Sequence, residues 1–273
     1  MITNKFIRRF SLEIAALALL LSAGMPAFSK TVTPEEKHDT IRVRVMTYNL
    51  RYGEFASLEE IAMHIKSFKP DFVALQELDC KTARTFAVHQ NGKDFISELA
   101  YRSGMFGLYG KTINFAGGLY GIGILSKYPY ISMNKTMLPN PAKTEQRALL
   151  EGVFEVGNDT LIFASTHLDY KYDSSRIEQG KLICDHFKDA PYPVILGGDF
   201  NAESDSRLIV ELMNKTWFSA TNSDLSYPAD NPEIKIDYIF TRPMKGWRVV
   251  KTQTVHSQLS DHLPIVTDLE YIR

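Results

Sequence analysis

The chain has 273 residues, of which 44% are hydrophobic and 23% are charged, values typical of a soluble globular protein. The formal net charge of −1 excludes a strongly basic protein that attracts nucleic acid over its whole surface, although a local basic cleft is compatible with it. No linker, repeat or low-complexity tract divides residues 30–273, so we expect one domain there.

The first 29 residues have the pattern of an export signal. A basic segment precedes an apolar run over residues 14–25, and Ala27-Phe28-Ser29 fits a small-x-small cleavage site. The run is too short to span a bilayer comfortably. We therefore predict that residues 1–29 are a signal peptide and that the mature chain is periplasmic or extracellular, without a membrane span and monomeric. Cys80 and Cys184 could be bridged in an exported protein, but two semi-buried thiols are favoured.

The first half of the mature chain alternates strand and helix patterns. Apolar residues alternate with arginines over residues 41–45, which predicts a strand leading to Asn49. Ser57 and Glu60 form a capping-box pattern, and Pro70 ends the helix that follows. Further along, we predict a strand over 71–77, a helix over 94–101 and a strand over 120–126, whose glycines allow a bulge or a close backbone approach.

The second half is richer in strands. Residues 149–156 and 160–166 predict a hairpin, and a helix with an apolar core face follows over 174–188. Its candidate core residues are Ile177, Leu182, Ile183 and Phe187. Later strands are predicted over 194–196, 234–240, 247–255 and 263–269. This mixture of hairpins and helical connections predicts an α/β protein with two mixed sheets packed face to face.

Polar side chains stand at or near the ends of these apolar runs. Any one of them has an ordinary explanation, such as a turn asparagine or a surface carboxylate. Together they form an oxygen-rich set with two histidines, which suits a hard cation such as Mg²⁺ and, through it, a phosphate group. The set comprises Asn49, Glu77, His167, Asp199, Asn201, Asp237, Asp261 and His262.

Two local arrangements follow from these positions. Asp237 lies inside the apolar segment 234–240, where an unpaired charge is costly, so we predict a hydrogen bond of about 2.7–3.0 Å to His262. A carboxylate on the far imidazole nitrogen fixes the tautomer that a general base needs. Asp199 and Asn201 would point to the same side if their segment stayed extended.

Seven ordered segments, covering the chain from about Val43 to its C-terminus, resemble the endonuclease/exonuclease/phosphatase superfamily, which has the fold of deoxyribonuclease I. The resemblance is closest to small bacterial metal-dependent hydrolases. It implies a four-layer α/β sandwich and hydrolysis of a phosphoester with Mg²⁺ or Mn²⁺. The segments are Thr47-Tyr48-Asn49-Leu50, Leu75-Gln76-Glu77, 120–129, Ser165-Thr166-His167-Leu168-Asp169, Gly197-Gly198-Asp199-Phe200-Asn201, Ile236-Asp237-Tyr238-Ile239 and Ser260-Asp261-His262-Leu263-Pro264.

The resemblance also implies roles for individual residues. Glu77 matches the principal metal ligand, Asn49 supports that site and Asp261 matches a further metal-side carboxylate. His262 matches the general base, with Asp237 as its orienting partner. The remaining matches concern the nucleophile and the phosphate: Asp199, Asn201, His167 and, less closely, Arg147.

The chain departs from deoxyribonuclease I where that enzyme pairs its second histidine with a glutamate. No acid lies in residues 120–126, so either Asp169 takes that role or His167 is positioned differently. Arg176 and Gln179 follow on the next helix, where Arg176 is either a substrate contact or part of a solvated face. Four tyrosines near the site either stack on a substrate or belong to the core rim: Tyr48, Tyr52, Tyr120 and Tyr170.

The sequence does not fix the substrate. The mature chain has neither a basic stripe nor an amphipathic helix with a basic face. We therefore favour a small or lipid-type phosphoester over nucleic acid. A nuclease acting on DNA or RNA is the alternative, and a non-catalytic binding protein on the same fold is a further alternative from another class.

Overall fold

The computed structural model describes residues 40–272, so the predicted signal peptide lies outside the described part. The described residues form two six-stranded mixed sheets, ordered β11-β12-β1-β2-β4-β3 and β5-β6-β7-β8-β10-β9. The strands are β1 Thr40–Asn49, β2 Phe72–Cys80, β3 Phe106–Phe115, β4 Gly118–Ser126, β5 Tyr130–Met137, β6 Ala148–Val156, β7 Asp159–His167, β8 Val194–Asp199, β9 Phe218–Ser219, β10 Asp237–Arg242, β11 Trp247–Thr254 and β12 Ile265–Ile272.

Helices flank both sheets. They are α1 Leu58–Phe68, α2 Phe95–Ser103 and α3 Asp173–His186, with shorter helical segments at Arg51–Gly53, Val88–Gln90, Leu208–Met213 and Asn214–Thr216. One apolar cluster lies between the two sheets, a second between the first sheet and α1 with α2, and a third between the second sheet and α3. Three interfaces between layers confirm the predicted four-layer α/β sandwich. Among residues 40–272, no helix is long and apolar enough to cross a membrane.

Local sequence signals place α1 as predicted. Ser57 caps the helix by accepting from the Glu60 backbone N–H, and the Glu60 carboxylate accepts from the Ser57 N–H at 2.9 Å. Ile61 and Ile65 on its inner face are fully buried. The helix ends at Phe68, and Lys69 takes a left-handed conformation before Pro70.

The interior between the sheets is aromatic and closely packed. The Phe72 ring stacks on Phe163, with centroids 4.9 Å apart. A Cβ added at Gly197 would lie 2.8 Å from the Ala74 Cβ of the other sheet, so this glycine lets the sheets approach. On β4, a Cβ at Gly121 would lie 2.1 Å from the Gly110 carbonyl oxygen, which confirms the close backbone approach predicted there.

Several predicted elements differ from the structure. Strands β3 and β5 were not predicted; β5 is an edge strand with exposed side chains, so it lacks the alternation that marks a strand. Strand β10 begins at Asp237 rather than at residue 234. On α3, Ile177 and Leu182 are only partly buried. The buried face of α3 instead carries Ser175, Gln179, Gly180, Ile183 and Cys184.

Strand directions bring the predicted site residues to one edge of the sandwich. β1 runs parallel to β2, and β7 runs parallel to β8, so the carboxyl ends of each pair lie together. β7 and β8 end side by side, with His167 paired to Asp199. β10 runs antiparallel to β8, and its first residue, Asp237, is also paired with Asp199. Chemistry-bearing residues far apart in sequence are thus neighbours on a rigid scaffold.

Candidate active site

A cleft of about 740 Å³ opens at this edge. Most of the predicted site residues line it, and Asn49 and Asp237 lie buried beside them. The charged and aromatic side chains that line the cleft are Arg51, Tyr52, Glu77, Arg84, Phe115, Tyr120, Glu145, Arg147, His167, Tyr170, Arg176, Asp199, Glu203, Asp205, Tyr227, Asp261 and His262. The other lining residues are Asn201, Ala202, Ser206, Ile234 and Ile236.

The predicted Asp237–His262 pair is present. His262 Nδ1 donates to Asp237 Oδ2 at 2.9 Å, and both side chains are buried. Ser226 Oγ donates to the same carboxylate oxygen at 2.7 Å. His262 Nε2 therefore faces the cleft, 3.7 Å from Asp199 Oδ2. Asp237 fixes the orientation of the imidazole, so that Nε2, the nitrogen that can exchange a proton, points into the cleft.

Charges in this group are strongly coupled. Burial, and next the neighbouring Asp237 carboxylate, raise the pKa of Asp199 to about 7. Burial would lower the pKa of His262, but the carboxylates of Asp237 and Asp199 outweigh burial and raise it to about 10. Without a bound cation, His262 is consequently an imidazolium held between two acids at neutral pH.

Glu77 is directed into the cleft by an irregularity in β2. The β2–β4 register shifts between Leu75 and Leu78, and Glu77 has a left-handed φ of 59°. A non-glycine residue in this conformation is strained, and such strain concentrates at functional sites. Asn49 Nδ2 donates to Glu77 Oε1 and to Asp199 Oδ2, both at 3.0 Å. Asn49 therefore holds these two carboxylates side by side.

The donor chemistry of this corner fits a hard divalent cation. Glu77 and Asp199 present carboxylate oxygens that share one neutral amide, Asn49. Oxygen ligands of this type are those that Mg²⁺ prefers. Within residues 40–272, one group of three potential metal ligands has ligand atoms mutually within 4.8 Å: Asp199, Asp237 and His262. In that group, the His262–Asp237 hydrogen bond already uses the imidazole Nδ1 and one carboxylate oxygen.

Asp261 lies on the cleft wall but has a cationic partner. Its Oδ2 is 2.6 Å from Arg51 Nη1. Arg51 was not among the predicted site residues, although it stands two positions after Asn49. Arg51 and Tyr52 both have positive φ, 46° and 43°, which turns the chain sharply after β1.

His167 lies between an arginine at Nδ1 and the Asp199 carboxylate at Nε2. Arg147 Nη1 lies 2.7 Å from His167 Nδ1, so a guanidinium N–H donates and the imidazole proton resides on Nε2. Nε2 is 3.5 Å from Asp199 Oδ2. Burial, then Arg147 and His262, hold the pKa of His167 well below its usual range. His167 is therefore a neutral hydrogen-bond donor at the cleft.

The alternative pairing of Asp169 with His167 is wrong. Asp169 Oδ1 accepts from the backbone N–H groups of Lys171 and Tyr172, both at 2.7 Å, and its Oδ2 accepts from the Thr144 hydroxyl. These bonds hold the loop after β7, and they lower the pKa of Asp169 despite the opposing effect of burial. The acid stabilises a turn because it is adjacent to free backbone donors.

Two arginines that line the cleft, Arg147 and Arg176, have unused hydrogen-bonding capacity. The Nε atoms of Arg147 and Arg176 are buried and have no hydrogen-bond partner among the described residues. Arg147 is also 3.0 Å from Glu145 Oε1. Arg176 Nη1 donates to the Asp169 carbonyl at 3.1 Å, so it is not on a solvated helix face. Unsatisfied cationic donors in a cleft fit an anionic ligand such as a phosphate.

Asn201 lies in the cleft, but by a different geometry from the one predicted. β8 ends at Asp199, and Asn201 takes a left-handed φ of 48°, so the segment is not extended. The Asn201 backbone N–H donates to Asp199 Oδ1 at 2.8 Å, and its Nδ2 donates to the Leu168 carbonyl at 3.1 Å. The segment leaves the extended path at Phe200, whose side chain is fully buried in the apolar cluster beneath α3.

An aromatic wall closes one side of the cleft. The Arg84 guanidinium lies 3.9 Å from the Tyr52 ring centroid and 4.3 Å from that of Phe115. Tyr120 and Tyr170 also line the cleft, whereas Tyr48 is 1% exposed and belongs to the core. Stacking on a substrate stays a prediction for Tyr52, Tyr120 and Tyr170 and is wrong for Tyr48.

Some cleft residues were not found from the sequence. Arg51 could have been recognised by its position two residues after Asn49. Ser226, which is buried against Asp237 rather than lining the cleft, has no sequence signal beyond its place in a polar loop. Arg84 lies in an irregular segment that no periodicity organises. Its position follows from a bidentate ion pair with buried Asp79, at 2.5 and 3.0 Å.

Solved structures share this fold. An endonuclease/exonuclease/phosphatase from Beutenbergia cavernae is 21% identical over 84% of this chain and 72% of its own, with a TM-score of 0.71. A mannosyl-6-phosphatase from Bacteroides thetaiotaomicron is 17% identical over 83% and 99%, with a TM-score of 0.65. The human nocturnin catalytic domain with bound sulfate is 18% identical over 86% and 97%, with a TM-score of 0.64.

A search of curated proteins gave no match to the chain. The family model described as "Endonuclease/Exonuclease/phosphatase family", in contrast, matches residues 46–262, which include every predicted site residue. The match covers most of the chain, and the two-sheet sandwich agrees with it. The chain therefore belongs to the endonuclease/exonuclease/phosphatase family.

Proposed function

We propose that the chain is a divalent-cation-dependent phosphoester hydrolase in which water attacks phosphorus in line, without a covalent intermediate. The observation that carries this proposal is the buried Asp237–His262 pair, whose free Nε2 faces Asp199 in the cleft. A fixed imidazole beside carboxylates and arginines combines proton transfer with phosphate binding in one place. Members of this family are generally phosphoester hydrolases, which supports the assignment.

Glu77 and Asp199 would hold Mg²⁺ or Mn²⁺, with Asn49 keeping their carboxylates together. When bound, the cation polarises a phosphoryl oxygen and offsets the negative charge that otherwise keeps His262 protonated. Neutral His262 takes the proton of the attacking water at Nε2, while Asp237 stabilises the imidazolium that forms. The new bond joins the water oxygen to phosphorus, and the bond from phosphorus to the leaving oxygen breaks.

His167 and Arg147 would contact the phosphoryl oxygens. His167 is neutral and carries its proton on Nε2, so it donates a hydrogen bond there. Arg147 supplies positive charge and a buried Nε without a partner among the described residues. Asp199 and Asn201, linked through the turn after β8, would position the water and the phosphate. Donors fixed in advance stabilise the charge that develops in the transition state.

For the substrate, we propose a small or lipid-type phosphoester. The cleft wall carries Glu203 and Asp205 as well as arginines, and acids there disfavour the continuous phosphate backbone of duplex DNA. Its volume of about 740 Å³ is in the range of small-molecule sites. One structural neighbour is named a mannosyl-6-phosphatase, which is compatible with a sugar phosphate. We further propose that the protein is exported, as residues 1–29 predict.

The test is a substrate panel with Mg²⁺, Mn²⁺ or chelator. The panel contains sugar and inositol phosphates, phosphodiesters with lipid head groups, RNA and plasmid DNA. We expect cation-dependent turnover of a small or lipid-type phosphoester, lowered by about a hundredfold or more in Asp199→Ala and His262→Ala. Plasmid cleavage with steep salt dependence would favour the nuclease alternative. Biological activity unchanged in both variants would favour a binding protein, and chelator-insensitive turnover would refute the mechanism.

A further inference from the structure

Arg51 lies in the cleft against Asp261, which was predicted to be a metal ligand. Its Nη1 is 2.6 Å from Asp261 Oδ2. The backbone is locked by a left-handed φ of 46° and by the Arg51 N–H, which donates to Asn49 Oδ1 at 3.0 Å. Its Nε contacts the Tyr52 hydroxyl and Glu54 Oε2, each at 3.2 Å. The guanidinium is therefore held in place from both ends.

Arg51 carries a permanent positive charge, because an arginine guanidinium keeps its proton throughout the pH range in which proteins are folded. Its ion-pair partners are Asp261 at 2.6 Å and Glu54 at 3.2 Å. Arg51 is thus a permanent cation in direct contact with Asp261, whereas no ion pair joins it to Glu77 among residues 40–272. The opposite corner is different, because Glu77 and Asp199 are bridged by the neutral amide of Asn49.

We propose that Arg51 takes the place of a second divalent cation, so that the cleft binds one Mg²⁺ or Mn²⁺, at Glu77 and Asp199. The inference rests on the proposed function, since it concerns the cation of that same site. It revises the predicted role of Asp261 from metal ligand to anchor of Arg51. A divalent ion on Asp261 would stand within a few ångströms of the guanidinium, and like charges at that range repel strongly in a partly buried site.

The experiment measures Mn²⁺ binding to the metal-free protein by calorimetry and by electron paramagnetic resonance, without substrate. We expect one bound ion in the wild-type chain and in Arg51→Lys, which keeps the charge. Arg51→Met should bind a second ion, about tenfold or more tightly than the wild-type chain binds any second ion. The double variant Arg51→Met with Asp261→Asn should return to one ion. Arg176→Met is the matched control, because Arg176 lies in the cleft with Asp169 and Asp173 as its partners.

Each outcome decides between the possibilities. Two ions in the wild-type chain, or an unchanged single ion in Arg51→Met, would overturn the role of Arg51 and leave the proposed function standing. A second ion that persists in the double variant would exclude Asp261 as its ligand and overturn the inference as well. No specific ion in the wild-type chain would overturn both this inference and the proposed cation dependence. Circular dichroism and thermal melting of every variant establish that the folded chain is being titrated.

Discussion

Asp237→Asn tests the proton-transfer part of the account, because it preserves shape while removing one charge. Asp237 Oδ2 accepts from both His262 Nδ1 and Ser226 Oγ, at 2.9 and 2.7 Å. Oδ1 is buried without a partner among the described residues, so the new amide group would occupy that position. A buried donor left unpaired costs about 1–3 kcal/mol, which a folded chain can tolerate.

The expected loss of activity in Asp237→Asn follows from the lost charge of the carboxylate. Opposite unit charges about 4 Å apart near a protein surface attract by about 4 kcal/mol, equivalent to about three pKa units. His262 would lose that stabilisation of its protonated form, and general-base catalysis contributes roughly 10²–10⁴ in rate. We therefore expect kcat/KM to fall about 10²–10⁴-fold at neutral pH, while Glu77 and Asp199 still bind the cation.

The assay combines steady-state hydrolysis with Mn²⁺ titration and urea unfolding. Asp268→Asn is the matched control, since it removes a carboxylate paired with Arg44 on β1 rather than with a cleft residue. Its turnover should equal that of the wild-type chain. Full turnover in folded Asp237→Asn would refute the role of the Asp237–His262 pair, and His167 would become the next base to test.

Three further predictions concern phosphate binding, pH and packing. Arg147→Met should lower kcat/KM by about 10²-fold in kinetic assays, through lost transition-state contacts; unchanged kinetics would exclude the phosphate role. In the metal-free protein, the raised pKa of His262, about 10, gives stability that is full below about pH 6.5 and lost as pH rises through 10. The unfolding free energy of the wild-type chain should therefore fall more steeply between pH 7 and 10 than that of His262→Gln, measured by urea titration, and parallel curves would contradict this. Gly121→Ala should destabilise the fold by about 1–3 kcal/mol in the same assay, because the new Cβ meets the Gly110 carbonyl; unchanged stability would show that the strands can separate.

Much of the fold could be predicted because local signals agreed with it. The capping box at Ser57 and the apolar run that ends near Glu77 depend on neighbours in sequence. Edge strand β5 could not be found, since its side chains are exposed and no buried face imposes a period of two. The helix α3 was placed correctly, but Gly180 on its buried face packs against Leu208, a contact that helical periodicity does not reveal.

The candidate site was predictable in composition and less so in geometry. Strand ends identified which polar residues would meet, and the Asp237–His262 bond followed from the cost of an unpaired buried charge. The partner of His167 was missed because Arg147 lies twenty residues earlier in sequence and reaches it across paired strands. The ion pair between Arg51 and Asp261 was not predicted for a similar reason, since it joins segments 210 residues apart in sequence.

The most direct test of the central claim is single-turnover hydrolysis of the best phosphoester from the panel, followed with the metal-free wild-type chain and with His262→Ala. We expect no reaction in chelator and restoration by Mg²⁺ or Mn²⁺ in the wild-type chain. Folded His262→Ala should turn over at least about a hundredfold more slowly at the same cation concentration. Equal rates with and without chelator, or equal rates in the two proteins, would contradict the central claim.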